Sequence, residues 1–154
     1  MSLLAVDLGL RTGLAFYARD GKLKWYRSRN FGNRSRLRKA ADAIFRETGD
    51  VDVLVLEGGG DIAIPWVREA ERRGIRVIQL HAGKWRQLLL LSRNQRSGKD
   101  AKKHADKLAR KIIDWSEAKK PTSLTHDAAE AICIGLWGVY EVGWIKEVPA
   151  AIKL

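Results

Sequence analysis

The sequence predicts an α/β domain built on a five-stranded mixed sheet, its first three strands antiparallel, with helices flanking it. Three observations carry this expectation. Apolar runs of strand length alternate with segments of helical period along the chain. The first three runs follow one another closely, joined by a glycine turn and then by Asp20–Gly21, a strong hairpin signal. Each later strand is fed through a helix, which is how a strand is brought in parallel.

In order, "LLAVD" at 3–7 reads as a buried strand, "GLAFYAR" as the second and "KLKWYRS" as the third. In "NFGNRSRLRKAADAIFRETG" the period switches. Leu37, Ala41, Ile44 and Phe45 share one helical face, and Gly49 stands where that helix should end. "VDVLVLEGGG" is a continuous apolar fourth strand. Pro65 opens a short helix, "PWVREAERRG", closed by Gly74, and "IRVIQL" is the fifth strand. The remainder is helical. "AGKWRQLLLL" precedes a polar loop, "SRNQRSGK", and Ala101, Ala105, Leu108 and Ile112 mark the buried stripe of a basic helix ending near Trp115. After the connector "EAKKPTS", "HDAAEAICIGLWGVY" is a last, mostly apolar helix. No repeat or linker divides the chain, so residues 1–154 are expected to form a single domain.

With 154 residues, 45% hydrophobic and 31% charged, the chain suits one folded core and is too apolar to be disordered. No apolar run reaches membrane-spanning length, and Met1 leads into a strand rather than a signal peptide. Cys133 is the lone cysteine and falls in an apolar helix, where a buried inert thiol is expected; no internal disulfide can form. A reducing, cytoplasmic setting fits that, in a bacterium or for a phage protein in its host. The formal charge of +11 favours a polyanionic partner, nucleic acid first. Few Asn, Gln, Cys and Met beside abundant Arg lean towards a heat-tolerant source.

Two strands end on an acid followed by glycines: Asp7 before Gly9, and Glu57 before Gly58–Gly60. Carboxylates are rarely left at a sheet core unless paired or metal-bound. If the two strands are parallel neighbours, Asp7 and Glu57 face each other across a few ångströms, and a divalent cation removes their conflict. Ordinary turn chemistry is the competing account for either residue alone. Asp127 and Glu130 add two more acids on one face of the last helix's opening turn. By themselves they fit a capping box and the helix dipole.

"VDLGLRTG", "LVLEGGG" and "DAAEAICIGLWG" together resemble the three acidic motifs of the RuvC family of Holliday-junction resolvases, members of the RNase H-like (retroviral integrase) superfamily. Asp7, Gly9, Thr12 and Gly13 match the first motif, Glu57 the second, and Asp127 with Glu130 the third; Lys102 in "SGKDAKKHA" matches a recurring lysine. The resemblance extends over nearly the whole chain. It departs at Leu8, where the family has proline, in a first loop one residue short, and at Glu130, where Asp is usual.

The resemblance implies an RNase H-like fold and symmetric resolution of four-way junctions by two-metal phosphodiester hydrolysis, with Mg²⁺, or Mn²⁺ in its place. Asp7 would bridge both ions, Glu57 would hold one, and Asp127 and Glu130 the other. One ion would activate water while the second stabilises the leaving 3′ oxygen. Lys102 would lie near the scissile phosphate. Symmetric incision further implies a C2 homodimer, with the helix from Pro65 and Trp66 as a candidate face. Ile62, Ile64 and Trp66 are candidates for a wedge that distorts the junction, against ordinary core packing. His126 stands beside Asp127 as a loop histidine with a possible catalytic part.

Phosphate contacts are expected from Arg11, Arg34, Arg36, Lys84, Arg86, Arg93, Arg96, Lys99 and Lys103. Trp25 and Trp85 lie among basic residues and would either stack on bases or pack in the core. Two other functions compete: another RNase H-like nuclease of the YqgF type acting on RNA or branched DNA, and a non-catalytic nucleic-acid binder. Glu57 argues against the first, and the retention of all four acids against the second.

Overall fold

The computed structural model describes residues 1–81, 83–90 and 98–152. The chain runs β1 (Ser2–Asp7), β2 (Arg11–Ala18), β3 (Leu23–Asn30), α1 (Arg34–Thr48), β4 (Val53–Glu57), a 3-10 turn (Gly60–Ile62), α2 (Ile64–Arg72), β5 (Arg76–Leu80), α3 (Lys84–Leu89), α4 (Gly98–Ser116) and α5 (His126–Glu141). This is the predicted order, with the 3-10 turn added. The sheet order is β3-β2-β1-β4-β5; β1–β2 and β2–β3 are antiparallel, β1–β4 and β4–β5 parallel.

The local signals account for the turns. At the hairpin, Gly21 takes φ +85° and the Asp20 carboxylate accepts from the Lys22 N–H at 2.9 Å. Asn33 caps α1 by accepting from the Arg36 N–H, and Gly49 closes that helix at φ +73°. Helix α3 is shorter than its apolar run suggested, because Leu90 is already extended (ψ 145°).

Strand alternation divides the core into two layers. Leu4, Val6, Leu14, Leu54 and Leu56 face α1 and α2, packing with Phe45 and Trp66. Leu3, Ala5, Ala15, Tyr17 and Val55 face α3, α4 and α5. Trp66 and Trp85 are fully buried, so neither serves as a wedge or a base-stacking platform. Packing prevailed over the basic neighbourhood of each. Cys133 is buried as expected.

Helix α5 is buried on all sides from Ala128 to Val139, as its apolar composition requires. Its seating depends on small residues. A Cβ at Gly135 would lie 2.1 Å from the Tyr17 ring, and one at Gly138 2.9 Å from Val55. Glycine costs a helix interior about 1 kcal/mol relative to alanine; here it lets the helix axis approach the sheet. Tyr17 Oη then donates to the Ile132 carbonyl at 2.5 Å, satisfying a buried hydroxyl. Across the same contact, a Cβ at Gly13 would stand 1.9 Å from the Asp127 carbonyl oxygen. Gly13→Ala should therefore push the start of α5 off β2. The expected loss is roughly 1–3 kcal/mol, a melting temperature lowered by roughly 3–10 °C in thermal denaturation followed by circular dichroism. An unchanged melting temperature would contradict this close contact.

Candidate active site

Asp7 and Glu57 are the last residues of adjacent parallel strands and are register partners, so their backbones lie about 4.8 Å apart. Both point to the face that α5 covers, like Leu3, Ala5, Val53 and Val55 before them. The turn after Asp7 is held from both sides: the Leu8 N–H donates to the Glu57 carbonyl at 3.2 Å, and buried Thr12 donates its hydroxyl to the Gly9 carbonyl at 2.6 Å.

Helix α5 delivers the other two acids. Thr125, not an acid, caps the helix by accepting from the Ala128 N–H. The capping-box account of Asp127 and Glu130 is thereby displaced, since Ala128 occupies the position where a capping box needs its acid. The signal was available in "TxxA", which lacks the reciprocal Glu. Released from capping, Asp127 lies 3.9 Å from the Arg11 guanidinium, and Glu130, only 3% exposed, lies 3.4 Å from that of Arg86. His126, expected in the loop, is instead the first residue of α5, and its Nε2 stands 3.5 Å from Glu130 Oε1, one turn along the helix.

The four carboxylates share one electrostatic environment. Burial raises Asp7 to about 7, with Glu130 and then Asp127 adding repulsion and Arg86 opposing it. Burial likewise raises Glu57 to about 8, reinforced by Glu130 and Asp7 and opposed by Arg86 and, more weakly, by the nearby Trp85 indole N–H. Among the described residues neither Asp7 nor Glu57 has an ion-pair partner. Glu57 Oε2 and Glu130 Oε2 are buried with no hydrogen-bond donor. Orphaned carboxylate oxygens in a low-dielectric cleft are costly unless a proton or cation supplies the missing charge.

The donor set, oxygen throughout, suits a hard divalent cation, and the two orphan oxygens give it places to bind. Among the described residues, no three such side chains converge to within ligating reach of one point. Arg86 explains part of this, because its guanidinium holds one Glu130 oxygen.

The basic residues fall into distinct settings. Arg86 stands inside the carboxylate cluster with its side chain 24% exposed, and Arg11 at its rim is 65% exposed. Arg34 is paired with Asp61, while Arg36 and Lys84 are exposed. Lys102 and Lys103 are exposed on α4; among the described residues no ion pair or hydrogen bond joins either to the acids. Arg93 and Arg96 lie outside the described residues, as does the side chain of Lys99. Of the wedge candidates, Ile64 is exposed (45%) and Ile62 half-buried. Trp25 is half-buried with its ring stacked on Phe16. The Arg11–Asp127 and Arg86–Glu130 pairings were missed from the sequence, where each Arg read as a phosphate contact.

No protein-family model matches the chain, and no curated protein does. Solved structures do. Over 96% of this chain and 99% of the other, the fold is similar to T. thermophilus RuvC in complex with Holliday junction substrate, at TM-score 0.62 and 16% identity. Over 93% of this chain and 99% of the other, it is similar to fowlpox virus resolvase in complex with its substrate Holliday junction DNA, at TM-score 0.66 and 20% identity. The fold is therefore RNase H-like, as the motifs implied, along essentially its whole length.

The raised carboxylates carry a consequence for stability. In the unfolded chain Asp7 and Glu57 lose their protons near the ordinary values of 3.8 and 4.5, whereas the folded protein keeps them to about 7 and about 8. Between those limits the folded state binds more protons, so stability falls as pH rises. In chelator, the melting temperature should drop from pH 5 to pH 8, and Asp7→Asn should flatten the decline by removing one titrating acid. A melting temperature independent of pH over that window would show that the two carboxylates are not crowded together.

Proposed function

We propose that this protein is a divalent-metal-dependent endonuclease that cuts four-way DNA junctions. The observation that carries the reading is the in-register pair Asp7–Glu57 at the ends of β1 and β4, faced by Asp127 and Glu130 from α5. The two solved structures of similar fold, each of a resolvase on junction DNA, support extending that substrate class to this chain.

Asp7, Glu57, Asp127 and Glu130 are the residues that would hold Mg²⁺, with Mn²⁺ as a substitute. When bound, such ions supply Lewis-acid charge at the phosphate and acidify water. The chain contributes the rest. Asp7 and Glu57 enter the site as weak acids and must release their protons to act as ligands, so metal binding competes with protonation and weakens as pH falls. Glu130 must exchange the Arg86 guanidinium, and Arg86, freed at the floor of the cleft, can turn its donors to a phosphate oxygen. Arg11 at the rim is placed to steer the phosphodiester over Asp127. Lys102 is retained as a candidate for offsetting charge on the scissile phosphate, along with the other basic residues predicted to bind DNA.

Symmetric incision calls for a homodimer. The candidate face is the outer side of α1 and α2, where exposed Ile64 lies in a groove of about 570 Å³ whose acids Asp42, Asp61 and Glu69 are paired with arginines of the same chain. The protein should sediment as a dimer at micromolar concentration. A species that stays monomeric both free and on junction DNA would count against paired incision.

The decisive assay compares Mg²⁺-dependent cleavage of a four-way junction with linear duplex and RNA–DNA hybrid. Wild-type protein should cut the junction preferentially. Asp7→Asn, nearly the same shape without the charge, should abolish cutting while leaving the fold and junction binding intact, and Glu130→Asp should keep part of the activity. Preferential cutting of the hybrid would favour another nuclease of this fold. A folded Asp7→Asn protein that cuts at wild-type rate would remove the carboxylate site from the chemistry.

A further inference from the structure

A second charged feature lies away from the carboxylates. A cavity of about 530 Å³ runs along the free edge of β3, between Lys24–Arg27 on the strand and Lys119–Ser123 in the connector before α5. Its lining carries four cationic side chains, Lys24, Arg27, Lys119 and Lys120, and no acid. Arg27 is engaged from the far side by Glu47 of α1 at 3.3 Å. Among the described residues, the three lysines have no ion-pair partner.

The walls are built in advance. Tyr26 Oη donates to the Lys119 carbonyl at 2.5 Å, which fastens the strand to the connector, and the Leu23 N–H donates to Ser116 Oγ at the end of α4 at 3.0 Å. The connector reaches Glu117 in a left-handed conformation (φ +57°), a backbone state that few residues other than glycine adopt. Lysines on an edge strand also discourage sheet extension, but that purpose does not account for Lys119 and Lys120, which belong to no strand.

We propose that this groove is a second phosphate-binding site, one that takes the backbone of a double-stranded arm of the DNA whose scissile strand lies at the carboxylates. The inference rests on the nuclease reading for its substrate. Its position follows from the register. Ser28, Gly13, Asp7 and Glu57 form one row across the sheet, and Tyr26 lies on the next row along the same face. Tyr26 is thus two strands across and two residues along from Asp7, roughly 12 Å between backbones. At 3.4 Å per base pair, that is about three to four base pairs of duplex. The connector that forms the groove's outer wall continues directly into Thr125 and Asp127, so both sites share one structural element.

The groove reads the phosphate backbone and not the bases. Its one indole, Trp25, is stacked on Phe16 at 5.3 Å between centroids and 4° between planes, and the Arg27 guanidinium lies 4.6 Å from its centroid. The ring is engaged by protein on these two sides, which sets aside Trp25 as a base-stacking platform.

The test is equilibrium binding of the full-length chain, in chelator so that nothing is cut, to a fluorescently labelled four-way junction over a salt titration. Lys24→Ala/Lys119→Ala/Lys120→Ala should bind about tenfold more weakly near 0.1 M salt, and its log–log salt slope should be shallower by about 2–3. Lys119→Gln/Lys120→Gln should fall between that variant and wild type. A control that removes equal charge at Arg19, Arg76 and Lys146 should keep the wild-type slope. Unchanged slope and affinity in the triple variant would overturn the groove, as would an equal change in the control. Weakening seen on anionic phosphatidylserine vesicles but not on DNA would overturn it also. The two readings separate cleanly: junction cutting with an unchanged salt slope loses the groove alone, whereas a shallower slope in a protein that cuts nothing loses the nuclease alone.

Discussion

Two buried strands that end in register, each on a carboxylate, are the constraint from which the site follows. Parallel pairing of β1 with β4 fixes Asp7 beside Glu57 at one strand spacing, with no side-chain freedom able to separate their backbones. In water the two charges would cost little. On the face covered by α5 they meet low dielectric and a third acid, and protons are retained to near or above neutrality. Nothing in stability recommends such an arrangement, since the same strands could end on polar neutral residues. A site that conflicts with the fold's own interest points to chemistry.

The second half of the site is a matter of clearance. Asp127 and Glu130 reach the cluster because α5 comes unusually close to the sheet, and it does so where glycine removes side chains from both surfaces: Gly13 on β2, Gly135 and Gly138 on the helix. The Tyr17–Ile132 hydrogen bond fixes the helix along its axis once it is close. Thr125 supplies the cap, which leaves the acids of the first turns free for other partners. Packing, capping and the placement of the carboxylates are therefore one set of contacts, so a change in any of them moves Asp127.

Much of this was legible in the sequence because its signals were local or periodic. The acids stood at the ends of apolar runs, Asp20–Gly21 announced a hairpin, and the length between strands forced parallel crossovers. What escaped depended on tertiary partners. Arg11 and Arg86 look like any other arginine of a chain with charge +11, and only the fold brings them to Asp127 and Glu130. Trp66 and Trp85 are set among basic residues in sequence, yet both are core residues, since a large apolar surface outweighs a charged neighbour a residue away. The fully buried indoles lost any binding role to packing. Arg34 also pairs with Asp61, between α1 and the 3-10 turn, in an exposed contact that leaves its guanidinium open to solvent.

These assignments divide the charge of the molecule between two tasks. The carboxylate cluster repels a polyanion until protons or cations neutralise it, and its own arginines go first to Glu130 and Asp127. For the proposed DNA substrate, long-range attraction must then come from cations that the acids do not claim. Lys24, Lys119 and Lys120 meet that condition among the described residues, and they lie on the edge of the sheet nearest the N-terminus of α5. A phosphodiester held there approaches the acids from the side of Arg11, the rim cation. In the proposed function affinity is thereby kept apart from chemistry: the edge would hold DNA whether or not the carboxylates are charged for reaction, and the carboxylates could remain acidic without making the whole surface repel a polyanion.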